Sequence, residues 1–388
     1  MIPFINMKSF NRIHVSIAIL TVVCLVSCNN STQDKKTEEK NQEWGLLQFA
    51  KADEVNPILV PDSTTEFFCP VRKEKLRWEE KDVFNPAAVA KNDTVFLLYR
   101  AEDKIGKFAG TSRIGLAWSN DGLHFTRNPL PVLYPDNDSS KKYEWEGGCE
   151  DPRIVEDDKG VYYLTYTAYD GDKARLMVAT SADLFHWTKH GLAFADASGG
   201  KYVNEWSKSG SIVCKYENAH LLGGVGQAKA VAAKINGKYW MYWGDTNIFL
   251  ASSDDLIHWT PVEDNDGKLV IVFGPRKGKF DSDLVEPGPP AMLTEKGIEL
   301  IYNSRNVPSK GDTSLSEGTY AASQILLDKS DPSKVLQRMD TYFIKPDRPY
   351  EISGQVNHVC FVEGLVNYRN KWFLYYGTAD SKIAVAVK

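Results

Sequence analysis

Three carboxylates stand out by their position rather than by any local motif. Asp151, Glu286 and Glu363 each lie 13 to 16 residues before a tyrosine that ends an aromatic-rich run, at Tyr166, Tyr302 and Tyr376. Asn85 and Lys229 hold the same place before Tyr99 and Tyr242. A common spacing of this kind aims all five residues at one spot. Gathering several carboxylates away from water is costly unless they are paired or partly protonated. It is a poor way to stabilise a fold and an effective way to separate the pKa of an acid from that of a base. Two carboxyl groups in a concave polar site suit cleavage of a glycosidic bond. One, protonated, donates to the leaving oxygen, and the other activates water on the opposite face. Glu150, beside Asp151, reads instead as structural, satisfying backbone amides or pairing with Arg100, Arg153 or Lys229.

The elements that must position these residues are short strands. Aromatic runs at 95–99, 161–166, 239–242, 298–302 and 372–376 are each followed by a small-residue strand, at 114–119, 176–181, 248–252, 319–323 and 383–387. Each is preceded by a short apolar strand, at 87–90, 153–155, 231–233, 290–293 and 364–366. Such units recurring five times predict an all-β, five-bladed β-propeller, with the active site at one end of the central channel that the first strands line. A β-sandwich fits five equal units poorly. The chain ends directly after a third strand, so the stretch near 48–60 is expected to supply the missing outer strand. Three units run into near-identical turns carrying His124, His186 and His258. Histidines recurring at one place in a repeat read as structural.

The N-terminus has a different character. Lys8 and Arg12 precede an apolar run at 17–26 that ends in Leu25-Val26-Ser27-Cys28. This predicts a lipoprotein signal over 1–28, with Cys28 as the lipid anchor. Residues 29–43 are polar and charged, the pattern of a disordered tether. Residues 44–388 then form one catalytic domain. The expected location is periplasmic or at the cell surface, with membrane contact only through the anchor. A net charge of -5 argues against a nucleic-acid partner. Cys69, Cys149, Cys214 and Cys360 have no metal-ligand spacing, and neither a metal nor a cofactor is expected. Trp145, Trp206 and Trp243 are candidates to stack on sugar faces. Loops at 104–111, 134–146, 197–228 and 306–317 are expected to build a rim, which favours action on a terminal sugar.

Asn85-Pro86-Ala87, Leu98-Tyr99-Arg100, Glu150-Asp151-Pro152-Arg153, Trp243-Gly244-Asp245 and Tyr376-Gly377-Thr378-Ala379-Asp380, in this order, resemble glycoside hydrolase family 130. The resemblance runs from about residue 80 to the C-terminus. It implies a five-bladed propeller acting on β-mannosides, in a family of phosphate-dependent phosphorylases and inverting hydrolases. It also implies that Asp151 is the general acid, and that Arg100, Asp245 and Asp380 contact mannose or phosphate. Lys208, Lys229 and Arg305 are possible hydrogen-bond donors to a bound phosphate. Asn85, Arg153, Asn303 and Tyr320 complete the candidate substrate-binding residues.

Glu286 and Glu363 depart from the phosphorylase pattern, and some phosphorylases carry histidine where Asn303 stands. Carboxylates beside a phosphate dianion oppose its binding, whereas a water nucleophile needs such a base. The expected function is therefore an inverting, exo-acting β-mannosidase for β-1,2 linkages, its substrate a mannose-containing oligosaccharide. Asp151, Glu286 and Glu363 divide the acid and base roles, with the choice between the two glutamates open. The rival readings are a mannoside phosphorylase, a non-catalytic glycan-binding propeller, and a five-bladed arabinan- or fructan-active glycosidase. The Glu150-Asp151-Pro152-Arg153 segment argues against the last.

Overall fold

The computed structural model describes residues 44–108, 110–220 and 226–388. The expected signal segment, Cys28 and the tether lie outside the described residues. The body Gly45–Lys388 is nearly all β, built from groups of antiparallel strands with few and short helices. The first group runs Asp82–Lys91, Thr94–Glu102, Ser112–Ser119, Thr126–Arg127. The second runs Gly148–Glu156, Tyr162–Tyr169, Ala174–Ser181, Thr188–Leu192. In the fourth, Leu284–Pro287 and Ala291–Leu293 both pair with Ile298–Arg305, followed by Tyr320–Leu327 and Val335–Arg338. The fifth runs Cys360–Tyr368, Lys371–Thr378, Lys382–Val387, and takes its last strand from Ala50–Lys51 near the other end of the chain.

The third group differs from the sequence expectation. Lys238–Trp243, Ile248–Ser253 and Trp259–Pro261 pair in succession, but the first strand is split. Ser211 and Ile212 pair with Tyr242 and Met241, while Lys234–Ile235 pairs with Tyr239 and Lys238. Between the two pieces, Ser211–His220 and Gly226–Ala232 form a hairpin that leaves the group. Its return strand pairs Val231 with Glu156, and Gln227 and Ala228 with Tyr368 and Asn367, at the far ends of two other first strands. Residues 231–233 are therefore not the first strand of this unit, as the repeat had suggested. Val231 belongs to the hairpin.

The repeated tyrosines have a common job. Tyr99, Tyr166, Tyr242, Tyr302 and Tyr376 are fully buried. A buried phenol must place its O–H. Four of them donate to a carboxylate, Glu79, Glu144, Asp281 and Glu351, at 2.8 to 2.9 Å. Tyr242 donates to the Pro332 carbonyl at 2.8 Å. Each of the four carboxylates is in turn paired with a cation, respectively Arg127, Lys189, Arg338 and Lys51, at 2.6 to 2.8 Å. The repeat thus encodes a ring and a hydroxyl that fasten each aromatic strand to an outer segment, through an ion pair in four of the five.

The histidine turns are structural, as expected. His124, His186 and His258 place Nδ1 2.7 to 2.8 Å from Asp121, Asp183 and Asp255. The same aspartates accept the histidines' backbone N–H groups. Cys69, Cys149, Cys214 and Cys360 are buried free thiols.

Candidate active site

The first strands bulge where the marker residues sit. Register shifts fall at Asn85, between Glu150 and Arg153, and at Glu363. A bulge re-aims a side chain that the pleat would otherwise send into the sheet. Asn85 and Asp151 have left-handed backbones, with φ of 47° and 46°, and so does Ser209 of the third group, with φ of 57°. For non-glycine residues this conformation costs about 1–3 kcal/mol and is held only by surrounding structure.

These residues meet. Asn85 Nδ2 donates to Asp151 Oδ1 at 2.9 Å, and Arg100 Nη1 stands 3.3 Å from the same oxygen. Lys208 Nζ lies 3.7 Å from Asp151 Oδ2. Burial opposes ionisation of Asp151, but Arg100, Lys208 and Arg153 outweigh it and hold the carboxyl well below its usual range. Arg100 also pairs with Glu150 at 3.0 Å and Glu102 at 2.8 Å, and donates to Ser112 Oγ. Of the structural partners open to Glu150, the one present is Arg100.

The glutamates behave in the opposite way. Burial raises the Glu286 carboxyl above its ordinary value, against the pull of Lys208 and Arg153; Ser209 Oγ donates to its Oε1. Glu363 has no exposed surface, and burial raises it well above the ordinary carboxylate value. Arg153 Nη1 is 2.9 Å from Glu363 Oε1, close enough for an ion pair but without hydrogen-bond alignment. Neither oxygen of Glu363 has a hydrogen-bond partner among the described residues. Asp380, φ 49°, is pushed up to about 7 by burial, with Arg100 opposing.

Around this floor stand rim residues. Arg305 pairs with Asp283 at 2.5 Å and lies 5.9 Å over the Tyr320 ring. Burial and the nearby Glu286 push the Tyr320 phenol up to about 12. Asp245 accepts from the exposed Trp206 indole at 2.7 Å. Trp206 thus stays available as a stacking surface. Trp243 does not, being core-buried 4.8 Å from Phe194, and Trp145 lies 5.3 Å beneath Arg72.

Three expected site residues need correction. Lys229 is outside the cluster. It sits in the inserted hairpin and pairs with Glu156 at 2.7 Å. Glu156 ends the strand Gly148–Glu156 that carries Asp151, five residues further on or ~16 Å along. The spacing had counted the hairpin as part of the repeat. Asn303 offers nothing to a substrate, because both ends of its amide are bonded to the Val362 backbone. Arg153 is 1% exposed, its guanidinium donating to the Pro287, Gly288 and Asp151 carbonyls, so it braces the floor from below. Sequence reasoning also missed Ser209 and Glu102. The left-handed turn before Ser211 has no signature in residue type, although Ser207 to Ser211 is the segment left once the hairpin is removed.

Buried carboxyls of unequal proton affinity, with a rim of polar and aromatic groups, are the equipment of an enzyme that cleaves glycosidic bonds. Comparison with known proteins makes the class specific. The chain belongs to glycoside hydrolase family 130: the family described as beta-1,4-mannooligosaccharide phosphorylase matches residues 52–388. A 1,2-beta-oligomannan phosphorylase of Thermoanaerobacter sp. (strain X514) is 31% identical over 340 residues, 85% of this chain and 94% of that protein. The structure of a glycosyl hydrolase from Bacteroides ovatus is 49% identical with a TM-score of 0.84, over 89% of this chain and 94% of that one. A further structure, 47% identical with a TM-score of 0.84 over 89% and 94% of the two chains, is described as work on a family of mannoside phosphorylases containing glycoside hydrolases that target beta-1,2 mannosidic linkages in Candida mannan.

Proposed function

We propose that the five strand groups are the blades of a β-propeller, and that the protein is an exo-acting, inverting β-mannosidase for β-1,2 linkages. The observation that carries the hydrolytic reading is the charge inventory of the site. Its cations Arg100, Arg153, Lys208 and Arg305 each face at least one carboxylate already: Glu102, Glu150 and Asp151, then Glu363, then Asp151, then Asp283. Glu286, Asp245 and Asp380 add further acids. A phosphate dianion would have to draw these four cations away from carboxylate partners, whereas water needs only an acceptor for its proton. The similarity to a structure described with β-1,2-targeting hydrolases supports the linkage.

In this reading Asp151, Glu286 and Glu363 divide the proton work. Water attacks the anomeric carbon from the face opposite the leaving oxygen, one carboxylate takes its proton, and the acid protonates the leaving sugar. The resemblance gives the acid role to Asp151. The carboxyls interact as one cluster, in which burial favours the protonated form of the two glutamates and the neighbouring cations favour the ionised form of Asp151. A bound sugar that displaces the long Arg100 and Lys208 contacts raises the proton affinity of Asp151 and completes the acid. We further propose export as a lipoprotein anchored through Cys28, which suits hydrolysis, since a sugar phosphate made outside the cell would be hard to recover. The test is the phosphate dependence of turnover on β-1,2-mannobiose: equal rates with and without phosphate support the reading, and an absolute requirement for phosphate overturns it.

A further inference from the structure

The two glutamates have different surroundings. Glu286 receives a hydrogen bond from the Ser209 hydroxyl and faces the Lys208 ammonium. Glu363 has the Arg153 guanidinium beside it, but no hydrogen bond reaches either of its oxygens among the described residues. Ser209 is completely buried and has the same left-handed backbone as Asn85 and Asp151. It is therefore the third group's contribution to the site, the place that sequence spacing had assigned to Lys229. A donor aimed at a carboxylate favours its charged form. It also fixes one oxygen and so orients the other.

We propose that Ser209 is a positioning residue that makes Glu286, rather than Glu363, the base that takes the proton from the attacking water. The inference rests on the hydrolytic reading above. One O–H bond of water breaks and its proton passes to the Glu286 carboxylate. The water oxygen bonds to the anomeric carbon, the bond to the leaving sugar breaks, and the leaving oxygen receives the acid's proton. The charged and titratable groups facing Glu286 are Lys208 and Arg153, which favour its ionised form, and Asp245, Glu363 and Tyr320, whose negative forms oppose it. Among these neighbours Ser209 supplies a directional bond.

The test is kcat/KM against pH on β-1,2-mannobiose for the natural protein, Ser209→Ala and Ser209→Thr. Losing the donor makes the charged base harder to form, so the acidic limb of Ser209→Ala moves up by about one pH unit. On the alkaline side the rates converge, and Ser209→Thr restores the limb. An equal loss at every pH with the limb unmoved, or no change at all, overturns the proposal. If Ser209→Ala does not fold, Ser209→Cys, a similar shape with a weaker donor, is read by the same criteria. Failure of the hydrolytic reading is distinguishable, because mannose 1-phosphate would then form in the natural protein whatever the Ser209 variants do.

Discussion

The side-chain amide of Asn303 holds Val362 by both of its backbone polar groups, accepting from the N–H at 2.7 Å and donating to the carbonyl at 3.0 Å. Asn303 lies directly across the sheet from Glu286, and Val362 immediately precedes Glu363. One amide therefore ties the strand paired with that of Glu286 to the strand that carries Glu363. Asn303→Ala leaves two buried backbone groups unpaired, an expected loss of about 2–4 kcal/mol in unfolding free energy. With Glu363 no longer held, kcat is expected to fall by about a hundredfold while KM changes less. Equilibrium denaturation and steady-state kinetics check both. Full activity in this variant would remove Asn303 from the account.

Away from the site, Glu299 gives the fold a pH dependence. It is 5% exposed and accepts from the Leu46 N–H at 2.8 Å. Burial pushes its carboxyl from 4.5 up to about 7, with the Leu46 N–H and the Lys388 and Lys296 charges opposing. Between those two values the unfolded chain has released a proton that the folded chain retains. Stability from this group is therefore full at low pH, falls as pH rises through the window, and levels off above it; the total is about 3 kcal/mol. Glu299→Gln keeps an acceptor for Leu46 and cannot ionise. It should match the natural protein below pH ~4.5 and exceed it in stability above pH ~7.5, as read from denaturation midpoints. An unchanged pH profile would show that Glu299 does not carry this dependence.

Lys229 tests the correction to the repeat. Its Nζ is bound to Glu156 at the far end of the second group's first strand. Lys229→Ala should leave kcat/KM within about twofold and cost about 1–3 kcal/mol of stability, because the Glu156 carboxylate loses its partner. A tenfold loss of turnover would return Lys229 to the site.

How far the sequence could be read follows from these residues. Asp151, Glu286 and Glu363 were visible because each keeps its spacing to a tyrosine, and each tyrosine keeps its ring and hydroxyl in the same buried place. The strand from near the N-terminus that pairs with Lys382–Val387 was visible because the last repeat ends one strand short. The third unit was misread because a hairpin interrupts its first strand, and spacing alone cannot tell an insertion from a repeat. The roles of Asn303 and Arg153 were hidden for another reason. Their partners are backbone groups of other units, and a contact from a side chain to a distant carbonyl leaves no trace in residue type. The unequal proton affinities of Asp151 and Glu363 depend on which cations stand where. Sequence supplied the candidates Arg100, Arg153 and Lys208 but not the distances.

The central claim is that water, not phosphate, takes the anomeric carbon in a single displacement. Proton NMR of the first products from β-1,2-mannobiose, recorded with and without inorganic phosphate, tests it most directly. The account predicts that mannose released from the cleaved glycosidic unit appears first as the α anomer, at a rate indifferent to phosphate. Mannose 1-phosphate formed only when phosphate is present would contradict it, and would require Arg100, Lys208 or Arg305 to give up carboxylate partners for the anion.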